Sequence, residues 1–130
     1  MTEKLRRPWR QPSRQSSTRQ LGQLGEDLAL RFLLSKGFRL VDRNWHCRYG
    51  EIDLIMTDGP ELVFVEVKLR SGSGFGHPEE AVNYFKLKKF RLAVSSYLSQ
   101  HRCFNYRIDV VTVVLVGRKA RVSHLINVGL

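Results

Sequence analysis

The sequence predicts an α/β domain with the element order αβββαββ, a mixed β-sheet with helices packed on it. Three observations predict it. Two stretches carry apolar residues at helical spacing with start and stop signals of their own. Between and after them lie runs of alternating β-branched residues, clearest in "LVFVEVKLR" and "YRIDVVTVVLV". "GEIDLIM" and "LVFVEVKLR" flank "TDGP", a turn signal that makes them a hairpin.

Each element follows in order. Residues 1–17 hold few apolar groups and are expected to form a disordered basic arm, leaving 18–130 as one domain. Ser17 or Thr18 can cap a helix running to about Lys36, with Gly37 as a fitting stop. "FRLVDRN" reads as a strand, "WHCRYG" as a loop and "GEIDLIM" as the next strand. Either a two-residue loop at Gly59-Pro60 or a four-residue loop at Asp58–Glu61 joins it to "LVFVEVKLR" in the same register; the longer loop is preferred, since proline at the third position of a tight turn is disfavoured. "SGSGFGH" is a Gly-Ser loop, and Pro78 opens a second helix to about Gln100. A strand over "YRIDVVTVVLV", a turn at Gly117-Arg118 and a last strand over "ARVSHLINV" complete the chain.

The 130 residues carry 22 Lys and Arg against 12 Asp and Glu, a net charge of +10. Six of those cations, Lys4, Arg6, Arg7, Arg10, Arg14 and Arg19, lie in the first twenty residues beside Glu3 alone. Such an arm suits phosphate neutralisation. Charge excess also serves solubility, and a Ser- and Arg-rich start also fits a transit peptide, although Pro8 and Pro12 interrupt the helix such a peptide needs. No apolar run reaches the length of a membrane span, and Cys47 and Cys103 fit neither a metal-ligand spacing nor a disulfide framework. A cytoplasmic protein without a membrane partner is the expectation.

The chemistry-bearing residues gather in the hairpin. Alternation puts Leu62, Phe64, Glu66, Lys68 and Arg70 on one face of their strand, and either loop length sets Asp53 opposite Glu66 on that face. Two carboxylates so close repel unless a cation or a shared proton intervenes, and Lys68 completes an acid–acid–lysine cluster. A solvated strand face with weak cross-strand ion pairs has the same alternation. Leu62, Phe64 and Ile55 on the charged face argue for the costlier, functional arrangement. Glu51 shares the face of Asp53 but begins its strand and is expected in solvent, while Asp109 is expected to have a structural partner such as Arg107 or a buried amide.

Asp53 followed by Glu66-x-Lys68 resembles the PD-(D/E)xK nuclease signature, with Ile52 where that pattern has proline. "GQLGEDLALRFLLSKGFRLVDRNW", "GEIDLIM", "LVFVEVKLR", "GHPEEAVNYFK" and "YRIDVVTV" together resemble the bacterial YraN-like family, a group similar to archaeal Holliday-junction resolvases. The resemblance runs from about Leu21 to Val116 and implies a restriction-endonuclease-like mixed sheet flanked by helices. It makes Glu26, the acid of a "GxxGE" element, similar to an active-site glutamate of the resolvases; the alternative is a partner for the helix dipole.

The resemblance implies a metal-dependent DNA nuclease, with branched DNA among its substrates. Asp53 and Glu66 would bind Mg²⁺ or Mn²⁺ with the Val67 carbonyl, Lys68 would orient or deprotonate the attacking water, and Glu26 would hold a second ion or its hydration shell. Arg48, Arg70 and Lys86 are the expected nucleic-acid contacts. Arg48 sits with Trp45, His46 and Tyr49 in a segment suited to stacking and phosphate contact, where Trp45 could equally be a loop anchor. Lys86 falls in the apolar seam of the second helix, aimed at the acidic cluster or a phosphate, or snorkelling along the core. A homodimer follows by analogy with the resolvases. The competing reading is a non-catalytic nucleic-acid-binding protein that retains the fold.

Overall fold

Leu28, Ala29, Phe32 and Leu33 recur at helical spacing and form the buried stripe of α1 (Thr18–Ser35). The helix ends in a Schellman motif. Gly37 takes a left-handed φ of 92°, the Phe38 N–H donates to the Leu33 carbonyl at 3.1 Å, and the Gly37 N–H donates to that of Leu34 at 3.0 Å. Phe38 and Leu33 then share one core cluster, the apolar contact that accompanies this cap.

The chain continues through β2 (Arg39–Cys47), β3 (Gly50–Asp58), β4 (Glu61–Ser71), α2 (Tyr84–Gln100), β5 (Tyr106–Val116) and β6 (Lys119–Leu125). A further short strand, β1 (Thr2–Lys4), pairs with β6 at the sheet edge. This computed structural model describes residues 2–4, 18–71 and 84–128, with side chains over 19–70 and 87–128. The sheet order is β1-β6-β5-β4-β3-β2, with β4 and β5 parallel and each other neighbouring pair antiparallel. The expected α/β class and αβββαββ order are therefore present, extended by β1. No helix among the described residues is long and apolar enough to cross a membrane.

The two helices cover opposite faces. On the α1 side, Leu54, Met56, Val63, Val65, Val111, Val113 and Val122 form the larger core. On the α2 side, Phe90, Ala93, Val94 and Tyr97 pack on Ile52, Ile55, Phe64 and Ile108. The β4–α2–β5 unit is a crossover between parallel strands, which brings the carboxyl ends of β4 and β5 to one edge, the usual place for a ligand in α/β sheets.

Four expectations are corrected. The β3–β4 loop is the two-residue Gly59-Pro60, with Asp58 paired to Glu61. Gly59 has a φ of 59°, so the turn begins with the positive φ of a II′ hairpin; the rule against proline there belongs to type I turns, whose preceding residue is right-handed. "WHCRYG" is mostly strand: Trp45, His46 and Cys47 pair with Ile52, Glu51 and Gly50, leaving Arg48-Tyr49 as the turn. The last strand stops at Leu125, and Asn127, at a φ of 56°, turns the chain so that the Val128 N–H donates to the Ile108 carbonyl at 2.8 Å. Within the arm expected to be unfolded, Thr2–Lys4 form β1, because β6 would otherwise present an unpaired edge; residues 5–17 lie outside the described residues. The expected second-helix start at Pro78 lies outside them as well, and α2 is described from Tyr84.

Asp109 finds its expected partner and two more. Arg107 Nε lies 3.0 Å from Asp109 Oδ1, His124 Nε2 lies 2.7 Å from Oδ2, and the Asn127 N–H donates to Oδ1 at 2.8 Å. Lys36 Nζ reaches His124 Nδ1 at 2.8 Å, and Arg107 Nη1 holds Asp58 at 3.1 Å and Glu61 at 2.6 Å. A lysine ammonium only donates, so Nδ1 accepts and Nε2 carries the proton directed at Asp109. This chain of polar groups ties the end of α1, the β3–β4 turn, β5 and β6 together on the α1 side of the sheet.

Two glycines of α1 face different surroundings. A Cβ at Gly22 meets nothing within 4 Å, whereas one at Gly25 would lie 3.0 Å from Leu69 Cβ. Gly22→Ala is expected to stabilise by about 1 kcal/mol through helix propensity. Gly25→Ala gains the same propensity but must push α1 off β4, where overpacking costs about 1–3 kcal/mol, so it should be neutral to destabilising. Urea denaturation of both variants checks the contrast; equal stabilisation would mean that the close approach at Gly25 is not tight.

Candidate metal and active site

The site is built where strand pairing fails. The β2–β3 ladder passes from Arg43↔Leu54 to Trp45↔Ile52 and omits the row of Asn44 and Asp53. The β3–β4 ladder stops at Leu54↔Val65, one row short of Asp53 and Glu66. Asn44 has a φ of 54°, a left-handed conformation that asparagine tolerates and that breaks the ladder locally. Side-chain alternation slips at this break: Ile52 and Ile55 both pack on the α2 side although they stand three positions apart, an odd offset that regular alternation would put on opposite faces.

The consequence falls on Asp53. Its Oδ2 accepts the Val67 N–H at 2.7 Å, so the carboxylate fills the gap between the strands in place of a main-chain acceptor. The expected face-to-face stacking of Asp53 on Glu66 is corrected in this respect, for the reason just given. The two remain electrostatically coupled, and the slip brings Asp53 within reach of α1. One carboxylate oxygen each of Glu26, Glu51 and Asp53 lies within 4.8 Å of the others, and this is the group among the described residues with such convergence.

Each acid has its own setting. Asp53 is buried, and its carboxyl is pushed up from 3.8 to about 8, first by burial and then by the charge of Glu66, with the Val67 N–H opposing and Glu26 and Glu51 adding to it. Burial also raises the Glu26 carboxyl, against a hydrogen bond from Asn44 and the Arg43 guanidinium 3.7 Å away, which itself holds Asp27 at 2.8 Å. Glu51 is exposed and pairs with His46 Nε2 at 2.8 Å. Glu66 and Lys68 are both buried, with Lys68 Nζ 3.1 Å from Glu66 Oε1.

Four of the residues named from sequence, Glu26, Asp53, Glu66 and Lys68, thus gather at one place on α1, β3 and β4. Arg70 lies two residues beyond Lys68 and is exposed. Arg48 is exposed in the β2–β3 turn, its guanidinium 4.8 Å from the Tyr49 ring centre and bonded to the Tyr49 hydroxyl at 2.6 Å. The side chain of Lys86 lies outside the described residues. Sequence reading placed Glu51 in solvent, where it stands, without assigning it to the site, and it missed Asn44. Glu51 stands two residues before Asp53, beside the break where Asn44 is left-handed, and one asparagine in a strand-like run carries no signal of that break.

The model of the uncharacterised protein family UPF0102 matches residues 25–113. The chain belongs to this family. UPF0102 proteins similar to it include one from Beutenbergia cavernae, 46% identical over 112 residues that cover 84% of this chain and 95% of that protein. Others are from Rhodococcus opacus, 44% identical over 108 residues (81% and 92%), and Alkaliphilus oremlandii, 42% identical over 113 residues (84% and 97%). The resemblance to the YraN-like family is borne out. The matched UPF0102 span contains Glu26, Asn44, Glu51, Asp53, Glu66 and Lys68, and it ends within β5.

Proposed function

We propose that the protein is a Mg²⁺- or Mn²⁺-dependent DNA nuclease of the PD-(D/E)xK type that hydrolyses phosphodiester bonds, branched DNA included. The observation that carries this reading is the buried Asp53 carboxyl, facing the charges of Glu66, Glu26 and Glu51 and pushed up to about 8. A fold gains nothing from gathering these acids, and a hard divalent cation would relieve their repulsion. The donor set fits such an ion, since the oxygens that converge are all carboxylate oxygens. Asp53 with Glu26 and Glu51 would hold it, with Glu66 beside them. When bound, the ion would supply Lewis acidity toward a phosphodiester and lower the pKa of a water.

The chain's own residues do the rest. Asp53 is fixed by the Val67 N–H, Glu26 by Arg43 and Asn44, and Glu51 by His46. Lys68, buried beside Glu66, is the cation that would orient a water or a phosphate oxygen. The second reading, a nucleic-acid-binding module without catalysis, has the Glu66–Lys68 pair in its favour, because each charge compensates the other inside the fold.

Asp53→Asn tests the site. Between about 4 and 8 the unfolded carboxyl is ionised while the folded one keeps its proton, so the metal-free wild type should lose stability as pH rises through that window. The asparagine variant should lack this slope and, near pH 8, exceed the wild type by on the order of 2 kcal/mol. Mn²⁺ should raise the melting temperature of the wild type, more so at higher pH, and leave the variant unmoved. Equal Mn²⁺-induced shifts in the two proteins would sink the metal site. Incubation with linear, flapped and four-way DNAs in Mn²⁺ then tests cleavage, and no product on any of them would favour the binding module.

A further inference from the structure

The α2 face of the sheet continues past the carboxylate site, and its register can be followed strand by strand. Lys68 aligns with Thr112 and Thr112 with Ser123; Arg70 aligns with Val114 and Val114 with Arg121; Val116 aligns with Lys119. Aligned residues share a face. Arg70, Arg121 and Lys119 therefore stand on the side of the sheet that carries Glu66 and Lys68, and Arg118 sits at the tip of the β5–β6 hairpin. All four are exposed, whereas Lys68, Thr112 and Ser123 are buried.

Acids are missing from their neighbourhood in the chain. From Val110 to the C-terminus the sequence contains Arg118, Lys119 and Arg121 and no acidic residue. Among the described side chains, no carboxylate pairs with these three or with Arg70, whose Nη1 donates to the neighbouring Leu69 carbonyl at 3.0 Å. Arg43 and Arg107, by contrast, are both engaged by acids.

We propose that Arg70, Arg118, Lys119 and Arg121 form a phosphate track that holds a nucleic-acid backbone leading away from the carboxylate site, an assignment that rests on the nuclease reading of that site. Continuity selects this partner. The row of Arg70 lies about 6.7 Å beyond that of Lys68 along β4, and Arg121 stands two strand spacings, roughly 9.6 Å, to the side. A strand whose phosphate reaches Lys68 passes these guanidinium groups next, and a guanidinium fork fits phosphate oxygens bidentately.

The test compares two variants that lose equal charge, Arg118→Gln/Arg121→Gln and, on exposed positions of α2, Lys88→Gln/Lys89→Gln. Affinity for a labelled DNA duplex is measured in Ca²⁺ from 50 to 200 mM salt, with circular dichroism to confirm the fold. The hairpin variant should lower the log–log salt slope by about 1.8, about 0.9 for each phosphate that is no longer neutralised. The α2 variant should change it by clearly less. An unchanged slope in the hairpin variant, or equal reductions in both, overturns the track. Loss of binding to phosphatidylserine vesicles with DNA binding intact also overturns it, in favour of a membrane surface. Duplex binding in Ca²⁺ requires no cleavage, so a protein that never cuts DNA but shows the hairpin effect keeps the track and removes the nuclease.

Discussion

Lys68→Gln is expected to reduce Mn²⁺-dependent DNA cleavage by about 10²–10⁴-fold, the range of a missing general acid–base or water-positioning group. Binding to DNA in Ca²⁺ should hardly change, since one of 22 basic residues is removed and it is a buried one. Glutamine is preferred to alanine because Lys68 lies 3.1 Å from the buried Glu66, and truncating one member of a buried ion pair costs several kcal/mol. The amide keeps a hydrogen bond and most of the stem while losing the charge. Cleavage at the wild-type rate by a folded Lys68→Gln protein would assign the activity to another site or a contaminant. A parallel loss of rate and DNA affinity would make Lys68 a binding residue.

Arg107→Met should be strongly destabilising, by about 3–5 kcal/mol, the usual result of removing one partner of a buried ion pair. The Asp109 side chain is 0% exposed and loses its guanidinium, while Asp58 and Glu61 lose the group that holds the β3–β4 turn to β5. The pH dependence fixes the sign. Burial alone pushes the Asp109 carboxyl up, but hydrogen bonds from His124, Arg107 and the Asn127 N–H outweigh it and hold it below its ordinary 3.8. The stability this carboxylate contributes is present above its unfolded value and is lost as pH falls through the lowered folded one. Without Arg107 that advantage shrinks, so acid unfolding of the variant should begin at a higher pH. A urea-unfolding difference under 1 kcal/mol at pH 7 would mean that His124 and Asn127 suffice.

Strand alternation made most of the sheet legible. It put Phe64 and Ile55 in one core and Val63 and Val65 in the other, because a period of two leaves no freedom once one face is apolar, and it failed at Asp53, where the ladder is broken. Arg107 and Asp109 were legible as a pair because they are near neighbours on one strand. Lys36 and His124 were not, since 88 residues separate them and only the packing of α1 on β6 brings them together. Trp45–Cys47 looked like a loop because the run mixes aromatic and polar groups, yet an edge strand satisfies one side of its backbone against β3 and needs no apolar alternation on the other. The convergence of Glu26 and Glu51 on Asp53 depends on a helix crossing a strand defect, and neither is periodic.

The parallel seam between β4 and β5 divides the molecule in a way that bears on how it can vary. Glu26, Asn44, Glu51, Asp53, Glu66 and Lys68 all lie on or before β4, within one contiguous stretch of chain, whereas the exposed cations of the β5–β6 hairpin come from the strands on the other side of the seam. Backbone hydrogen bonds along the seam are indifferent to the side chains at the hairpin tip. The hairpin tip can therefore be exchanged, lengthened or recharged as a cassette while the carboxylate cluster on β3 and β4 stays as it is; under the proposed phosphate track, such changes would retune which nucleic-acid shape is held.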